Sequence, residues 1–287
     1  MAEDEKLKQE LAKNESDDNL ETKEEIDNVK ENAVVDEEKE NLKEESKDVK
    51  VSSKVDVDNW NPKTEIGKKV KSGEIKDIDE ILDNAYNIFE TEITDILIPS
   101  LESDLLLIGQ AKGKFGGGQK RVFRQTQKKT PEGNNPSFCC IAVVGDKNGH
   151  VGVGRGKSKD TVPAREKALR KAKENLIKIR RGCGSWQCGC KTPHSIPFAV
   201  EGSCGSVKIR LMPAPKGKGL VIEPECAKIL AMAGIKDVWS ETFGQTKVKI
   251  NLVDACIDAL NKLNRIKILP GMADNVGMIE GSVKKND

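Results

Sequence analysis

CCIAVVGDKNGHVGVGRGKSKDTVPAREKALRKAKENLIKI, residues 139–179, decides how this chain folds. Cys139 to Val144 is apolar and β-rich, Asp146 to Gly149 carries turn residues, and His150 to Gly156 alternates with period two. That pattern predicts a two-stranded hairpin. Behind it Ala164, Ala168, Ala172 and Leu176 recur every four residues, with Leu169 and Ile177 on the adjacent track. This is one apolar stripe on a helix. The opposite face carries Arg165, Lys167, Arg170, Lys171, Lys173 and Lys178. A small sheet covered on one side by a helix with a cationic back suits a polyanion.

Gly152, Gly154 and Gly156 at i, i+2 and i+4 strip one face of the second strand of side chains. Unneeded glycine weakens a strand, so the bare face has a use. It either lets the helix pack close to the sheet or lets the backbone approach a phosphate or ribose, and the two uses are compatible. Gly156-Lys157-Ser158 resembles the end of a nucleotide-binding loop. That loop, however, needs a glycine where Val151 stands, in mid-strand. The dinucleotide fingerprint fails as well, because the alternation leaves no room for its tight turn.

Outside this stretch the chain is strongly polarised. Its 287 residues carry a net charge of +1, but residues 1–60 hold 21 acidic against 10 basic residues. Gln110 to Arg181 holds 19 basic against 5 acidic. The basic segment is the footprint of a nucleic-acid binder and the acidic arm is a separate piece. Aromatic residues make up only 3%, which argues against broad base-stacking platforms and for recognition through phosphates and shape. With no apolar run near membrane-spanning length and no basic-then-apolar leader, a soluble, unsecreted, cytoplasmic chain is expected. Eight cysteines in a lysine-rich chain of this size point to free thiols or metal ligands in a reducing compartment.

The expected organisation is a disordered acidic arm (1–58), a helical lead-in (59–109), a basic α+β domain (110–181), a Cys/His knuckle (182–195), a second α+β domain (196–265) and a loose tail (266–287). The arm's aliphatics are too sparse for a core, and no heptad persists long enough for a coiled coil. In the lead-in, Asp79 is read as the cap of a helix running through Phe89, and the whole segment as a docking surface. Gln110 to Lys129 is glycine-rich and basic. Val122 to Gln127 is read as the first strand of the sheet, and Lys128 to Ser137 as a loop. In the second domain, Ile196–Val200, Ser206–Met212, Val238–Trp239 and Thr246–Ile250 are read as strands. Pro224 to Ala233 is a helix ended by Gly234, and a further helix is capped by Asn251.

Candidate nucleic-acid contacts are Lys112, Lys114, Lys120, Arg121, Arg124, Lys128 and Lys129 around the glycine-rich stretch. His150, Arg155, Lys157 and Lys159 lie on or beside the hairpin, and Arg165, Arg170 and Lys171 on the helix. Arg180 and Arg181 follow it, and Lys216 and Lys218 occupy the rigid loop Pro213 to Leu220. Cationic side chains on a mobile tether can follow a phosphate backbone and release its counterions. Cys183, Cys188, Cys190 and His194 place four zinc-type donors within twelve residues. Their spacing C-x4-C-x-C-x3-H lacks the usual C-x2-C turn, so a tetrahedral zinc site and free thiols in a tight turn both remain open.

Several blocks, in order, resemble the small-subunit ribosomal protein five family, most of all its archaeal branch, whose eukaryotic counterpart is numbered two. They are Trp60-Asn61-Pro62-Lys63-Thr64, Ile141 to Gly152, Arg180 to Trp186, Pro193 to Phe198, and Leu211 to Pro215 with Gly217 and Gly219. The likeness covers about residues 58–264. It implies a double-stranded-RNA-binding-like first domain and a βαβ second domain of left-handed class. It also implies a non-enzymatic structural role in the small ribosomal subunit, on ribosomal RNA near the decoding region and beside the channel by which messenger RNA enters, with a bearing on translational accuracy. No cofactor is required by the resemblance, and the neighbours it implies are the proteins numbered two, three, four and eight. In the family the loop between the first two strands reaches toward the decoding centre. Here that loop, Gln127 to Ser137, is longer and less basic, and Gln110 to Lys120 looks inserted, as if to restore the charge the tip lacks. A free-standing double-stranded-RNA binder is the alternative. A kinase-like enzyme on the second domain's fold lacks paired carboxylates for magnesium near Pro213 to Leu220.

Overall fold

The apolar strand, the turn and the glycine strand form the middle of a five-stranded sheet. A computed structural model describes residues 60–111 and 120–282. The acidic arm and residues 112–119, with Lys112 and Lys114, lie outside the described residues. Strand β1 (Glu102–Leu105) and β2 (Arg124–Thr130) both pair antiparallel with the long β3 (Gly133–Gly145). β1 takes its inner end, Leu105 opposite Ala142, and β2 its outer end, Thr130 opposite Gly133. β4 (His150–Ser158) lies against β3 with Ala142 opposite Gly154, and β5 (Leu176–Lys178) closes the far edge.

Helix α4 (Thr161–Glu174) covers the face made by Cys140, Ala142, Val144 and the three glycines; three short helices precede it in the chain and are placed below. Ala164, Ala168 and Ala172 are fully buried there. A Cβ on Gly152, Gly154 or Gly156 would run into the α4 backbone at Ala164, Ala168 or Ala172. The glycine face is therefore taken up by helix packing, not by a ligand. The helix stops at Asn175, one turn earlier than its apolar period suggests, because Leu176 and Ile177 pair with Gly152 and Val151 as β5.

The opposite face, Ile141, Val143 and Val151, joins the large core shared with the second domain. That domain is a four-stranded sheet, β7 (Val200–Cys204), β8 (Val207–Pro213), β10 (Val238–Phe243) and β9 (Leu220–Val221) in that order. β9 and β10 are parallel with α5 (Pro224–Met232) between them, a βαβ unit, and every other pair is antiparallel. Gly234, at φ +81°, ends α5 as expected. α6 (Lys249–Arg265) packs on β7, where a Cβ on Gly202 would collide with Ala255 and Ala259. The same glycine-on-alanine contact thus builds both domains.

Several expectations shift. The 128–137 segment is no loop. It is the outer half of a β2–β3 ribbon, paired from Arg124–Cys139 to Thr130–Gly133. The second domain's first strand is Val200–Cys204, so Gly202 sits inside it, not between strands. Residues 246–248 are a connection, and the helix read from Asn251 begins at Lys249.

The lead-in folds as α1 (Glu65–Ser72), α2 (Ile78–Asp83) and α3 (Thr91–Leu97) around Ile81 and Ile93, and Leu176 of β5 completes their core. Its entrance is fixed by Glu90, whose Oε1 accepts the Lys63 and Thr64 amides at 2.8 and 2.7 Å. Asp77, not Asp79, precedes the second of these helices. The tail is also held as far as residue 282. It contains α7 (Pro270–Val276) and β11 (Ile279–Glu280), and β11 pairs with β6 (Arg180–Arg181).

Candidate nucleic-acid interface and metal cluster

Solvent exposure divides the candidate cations into two groups. Lys120, Arg121, Arg124, Lys128, Lys129, Lys157, Lys159, Arg170, Lys171, Lys216 and Lys218 are exposed, and Arg165 is partly so. Three of them stand on the ribbon, whose β2 strand is exposed along its length up to Thr130. A two-stranded ribbon with so little of its own surface buried is unusual in a protein that stands alone. Lys120 forms an isolated antiparallel bridge with Ala111.

The second group works inside the protein. His150, expected at the surface, is 1% exposed. Its Nδ1 lies 2.6 Å from Asp146 and its Nε2 2.9 Å from Asp79, so a lead-in carboxylate and a turn carboxylate clamp it. Burial alone would lower its pKa, but hydrogen bonds to Asp146 and Asp79 outweigh that and raise it to about 9. Arg181 is also buried: its Nη2 donates to Asn148 Oδ1 at 3.1 Å and to the Gly281 carbonyl at 3.0 Å, tying the hairpin turn to the tail. Arg180 pairs with Glu280 at 2.6 Å and caps the Leu263 and Ile266 carbonyls. Arg155 is exposed, like the first group, but pairs with Asp254 on α6. These four residues join parts of the chain to one another, and burial removes His150 and Arg181 from any nucleic-acid face. Sequence gave no warning, because their partners lie 71 to 100 positions away, Asp146 and Asn148 apart.

The lead-in also takes one cation from the last turn of α4 and one from β5. Lys173 meets Asp95 at 2.7 Å and Lys178 meets Asp83 at 2.8 Å.

The four knuckle donors come together. One ligand atom from each of Cys183, Cys188, Cys190 and His194 lies within 4.8 Å of the others, with Cys183 and His194 buried. The knuckle is drawn in by the isolated bridge Gly182–Ser195 at its two ends, by the Cys188 amide on the Ser185 carbonyl at 3.1 Å, and by the Cys183 thiol on the Cys188 carbonyl at 3.2 Å. Zinc bonds of about 2.3 Å to sulfur need donor separations of about 3.8 Å, a small contraction from this geometry. A hydrogen bond with Thr192 favours the Cys190 thiolate, and burial disfavours that of Cys183. Three thiols and one imidazole are the donor types found in structural four-coordinate zinc sites. His194 presents Nε2 to this tetrad, 3.9 Å from the Cys188 sulfur, while its Nδ1 faces Asp237 Oδ2 at 2.8 Å. Asp237 was not legible in the sequence, since it stands 43 residues further on.

No helix among the described residues is long and apolar enough to cross a membrane. Residues 119–180 match the family described as ribosomal protein S5, N-terminal domain, and residues 202–272 that described as ribosomal protein S5, C-terminal domain. The chain is 52% identical over 229 residues to the small ribosomal subunit protein uS5 of Nanoarchaeum equitans, covering 80% of this chain and 98% of that protein. It is 45% identical to uS5 of Methanocaldococcus jannaschii over 227 residues, 79% of this chain and 98% of the relative. The Methanococcus maripaludis C6 protein of the same name is 45% identical over 230 residues, 80% of this chain and 94% of that one.

Proposed function

Since the chain belongs to the ribosomal protein S5 (uS5) family, in its archaeal branch, we propose that its exposed ribbon and cationic helix grip ribosomal RNA near the decoding region and beside the channel by which messenger enters. In family terms it is a non-enzymatic, RNA-binding structural component of the small ribosomal subunit. The observation that best supports the finer placement is the β2–β3 ribbon. Its residues 124–136 are exposed apart from Thr130, and it carries Arg124, Lys128 and Lys129 outward. It extends the hairpin that in the family points to the decoding centre. Lys157, Lys159, Arg170 and Lys171 would anchor the first domain by phosphate contacts, which fix position without reading bases. Lys112 and Lys114, which lie outside the described residues, would add charge from the basic glycine-rich stretch. Lys216 and Lys218 would supply a second contact from the other domain. The neighbouring proteins are those numbered two, three, four and eight, and decoding accuracy is the property this placement would influence.

In the same reading the Cys183, Cys188, Cys190 and His194 tetrad holds one zinc ion as a structural staple. The metal analysis below tests it.

The deciding experiment is sedimentation of lysate expressing a tagged full chain. Co-migration with small subunits, and a ribbon variant Lys128→Glu with Lys129→Glu that joins subunits but raises misreading of a reporter codon, is the expected result. A chain recovered only free of subunits would favour the stand-alone double-stranded-RNA binder instead. Normal reading by the ribbon variant would remove the decoding placement.

A further inference from the structure

The imidazole of His194 is the centre of a chain of contacts that leaves the knuckle and ends on another loop. Asp237, 4% exposed, receives His194 on Oδ2 and turns Oδ1 to the amides of Gly217 and Gly219, at 3.1 and 2.8 Å. Those two amides flank Lys218 and follow Lys216, the exposed cations of the loop between β8 and β9. Gly217 and Gly219 have φ of +87° and +77°, and a Cβ on either would touch nothing within 4 Å; the loop's other backbone bonds, the Lys218 amide to the Pro215 carbonyl and the Val238 amide to the Gly219 carbonyl, are both 3.3 Å long. The base of the chain is firm. The His194 carbonyl accepts the Lys236 and Asp237 amides at 2.9 and 3.1 Å, and Ser195 Oγ accepts the Ala214 amide at 3.3 Å.

We propose that a zinc ion on the knuckle sets the conformation of the Lys216–Lys218 loop through His194 and Asp237, so that metal binding and presentation of this loop to an anionic partner are coupled. The inference rests on reading the tetrad as a metal site. A metal on Nε2 leaves Nδ1 as the protonated nitrogen, and that N–H must donate to Asp237 Oδ2. The carboxylate is then held in the one orientation that leaves Oδ1 free for both loop amides. Without the metal nothing ties Nε2 to the three thiols, so the imidazole is free to turn about its side-chain bonds and the pairing that aims Asp237 is no longer fixed from the knuckle side. A carboxylate behind a metal-bound histidine also raises the basicity of the ligand, so the coupling runs both ways. Asp237 is thus a positioning residue for the metal and for the loop, and touches neither metal nor RNA itself.

The test uses the purified full chain, with zinc stoichiometry measured first and amide exchange of residues 214–220 then followed with and without stripping by a chelator. Residues 207–212 in β8 serve as the internal reference. One zinc per chain and exchange at 214–220 at least about fivefold faster after stripping is the expected result, the low end of usual site-to-site coupling. Asp237→Asn cannot accept from His194 Nδ1–H and from both glycine amides with its one oxygen. It should lose about 10- to 100-fold in zinc affinity, measured by chelator competition, or deprotect the loop with zinc in place. His194→Cys keeps four donors and removes the relay, so zinc should stay while loop protection falls. A zinc ratio near zero would overturn the metal reading and the coupling with it. Stoichiometric zinc with unchanged exchange on stripping would overturn the coupling alone.

Discussion

Replacing His150 by glutamine should erase a pH dependence of stability that the wild-type chain shows on the alkaline side of neutrality. His150 is raised from 6.5 to about 9 in the folded protein. A group whose folded pKa lies above its unfolded one stabilises fully below the unfolded value, and that contribution is lost as pH rises through the folded value. The window here runs from about pH 6.5 to about pH 9. One pKa unit corresponds to about 1.4 kcal/mol, so the whole contribution is of the order of 3 kcal/mol. The cause is geometric: an imidazole with 2% of its side chain exposed sits between Asp146 at 2.6 Å and Asp79 at 2.9 Å. The shift of Asp79 down to about 2 describes partly the same interaction and is not added to it. Its own limb appears at acid pH, where stability present above about pH 3.8 is lost as pH falls toward about 2. The assay is urea unfolding at half-unit steps from pH 6 to 10, taken as the difference between wild type and His150→Gln so that lysines and thiols common to both cancel. The difference should narrow by about 1.4 kcal/mol per unit across the window and then flatten. A difference that stays constant from pH 6.5 to 9.5 would refute a charged imidazole in the clamp.

Gly154→Ala should cost about 1–3 kcal/mol or more in the same unfolding assay, because its Cβ meets the α4 backbone, which cannot step aside. Gly271→Ala in α7, where nothing lies within 4 Å, should instead be neutral or stabilise by about 0.5–1 kcal/mol. Opposite signs for one substitution would confirm that the glycine face exists for the helix. Lys128→Ala with Lys129→Ala should leave stability within about 0.5 kcal/mol, since both are exposed. In RNA binding it should make the slope of log K against log salt shallower by about 2, read by filter binding between 50 and 200 mM salt. Lys173→Met strands Asp95, whose carboxyl burial already pushes up in pKa. We expect a loss of about 1–3 kcal/mol, measured by thermal melting, that Asp95→Asn in the same chain partly restores.

The hairpin and its helix were legible because two periods stood next to each other: alternation through Val151 and Val153, and a four-residue step through Ala164, Ala168 and Ala172. Where one signal served two purposes, the reading slipped. Leu176 continues the helical step, yet its side chain completes the lead-in core and its backbone pairs with Gly152. Pro131, Gly133, Asn134, Asn135 and Pro136 have the composition of a loop. In the fold Asn134 and Asn135 pair with Lys129 and Lys128 in a ribbon, while Pro131 and Glu132 make its turn. Ile196 and Pro197 are apolar because they are buried beside the knuckle, where Gly184 packs on the Pro197 carbonyl, and not because they form a strand. The four knuckle donors were readable as a local cluster. The carboxylate behind His194 was not, since nothing near Asp237 marks it out.

Basic residues alone overstate the binding face, and the fold itself sorts them. Small residues let the helices of both domains sit almost backbone to backbone on glycine strands, at Gly154 against Ala168 and Ala172 and at Gly202 against Ala255 and Ala259. That contact leaves the long cationic side chains no place except the outside of α4 and its flanks. The lead-in then meets the C-terminal end of that region with Asp79, Asp83 and Asp95, which hold His150, Lys178 and Lys173. Asp254 takes Arg155 in the same way. What remains exposed includes Lys157, Lys159, Lys167, Arg170 and Lys171, beside Lys120, Arg121 and the ribbon's Arg124, Lys128 and Lys129. The segment that looked like a docking surface therefore sharpens the site by subtraction: its carboxylates take up His150, Lys173 and Lys178 and leave the exposed cations of α4 and of the ribbon to a partner. Removing those carboxylates should broaden RNA binding toward non-specific partners, since unpaired lysines at the helix end would add phosphate contacts with no defined register.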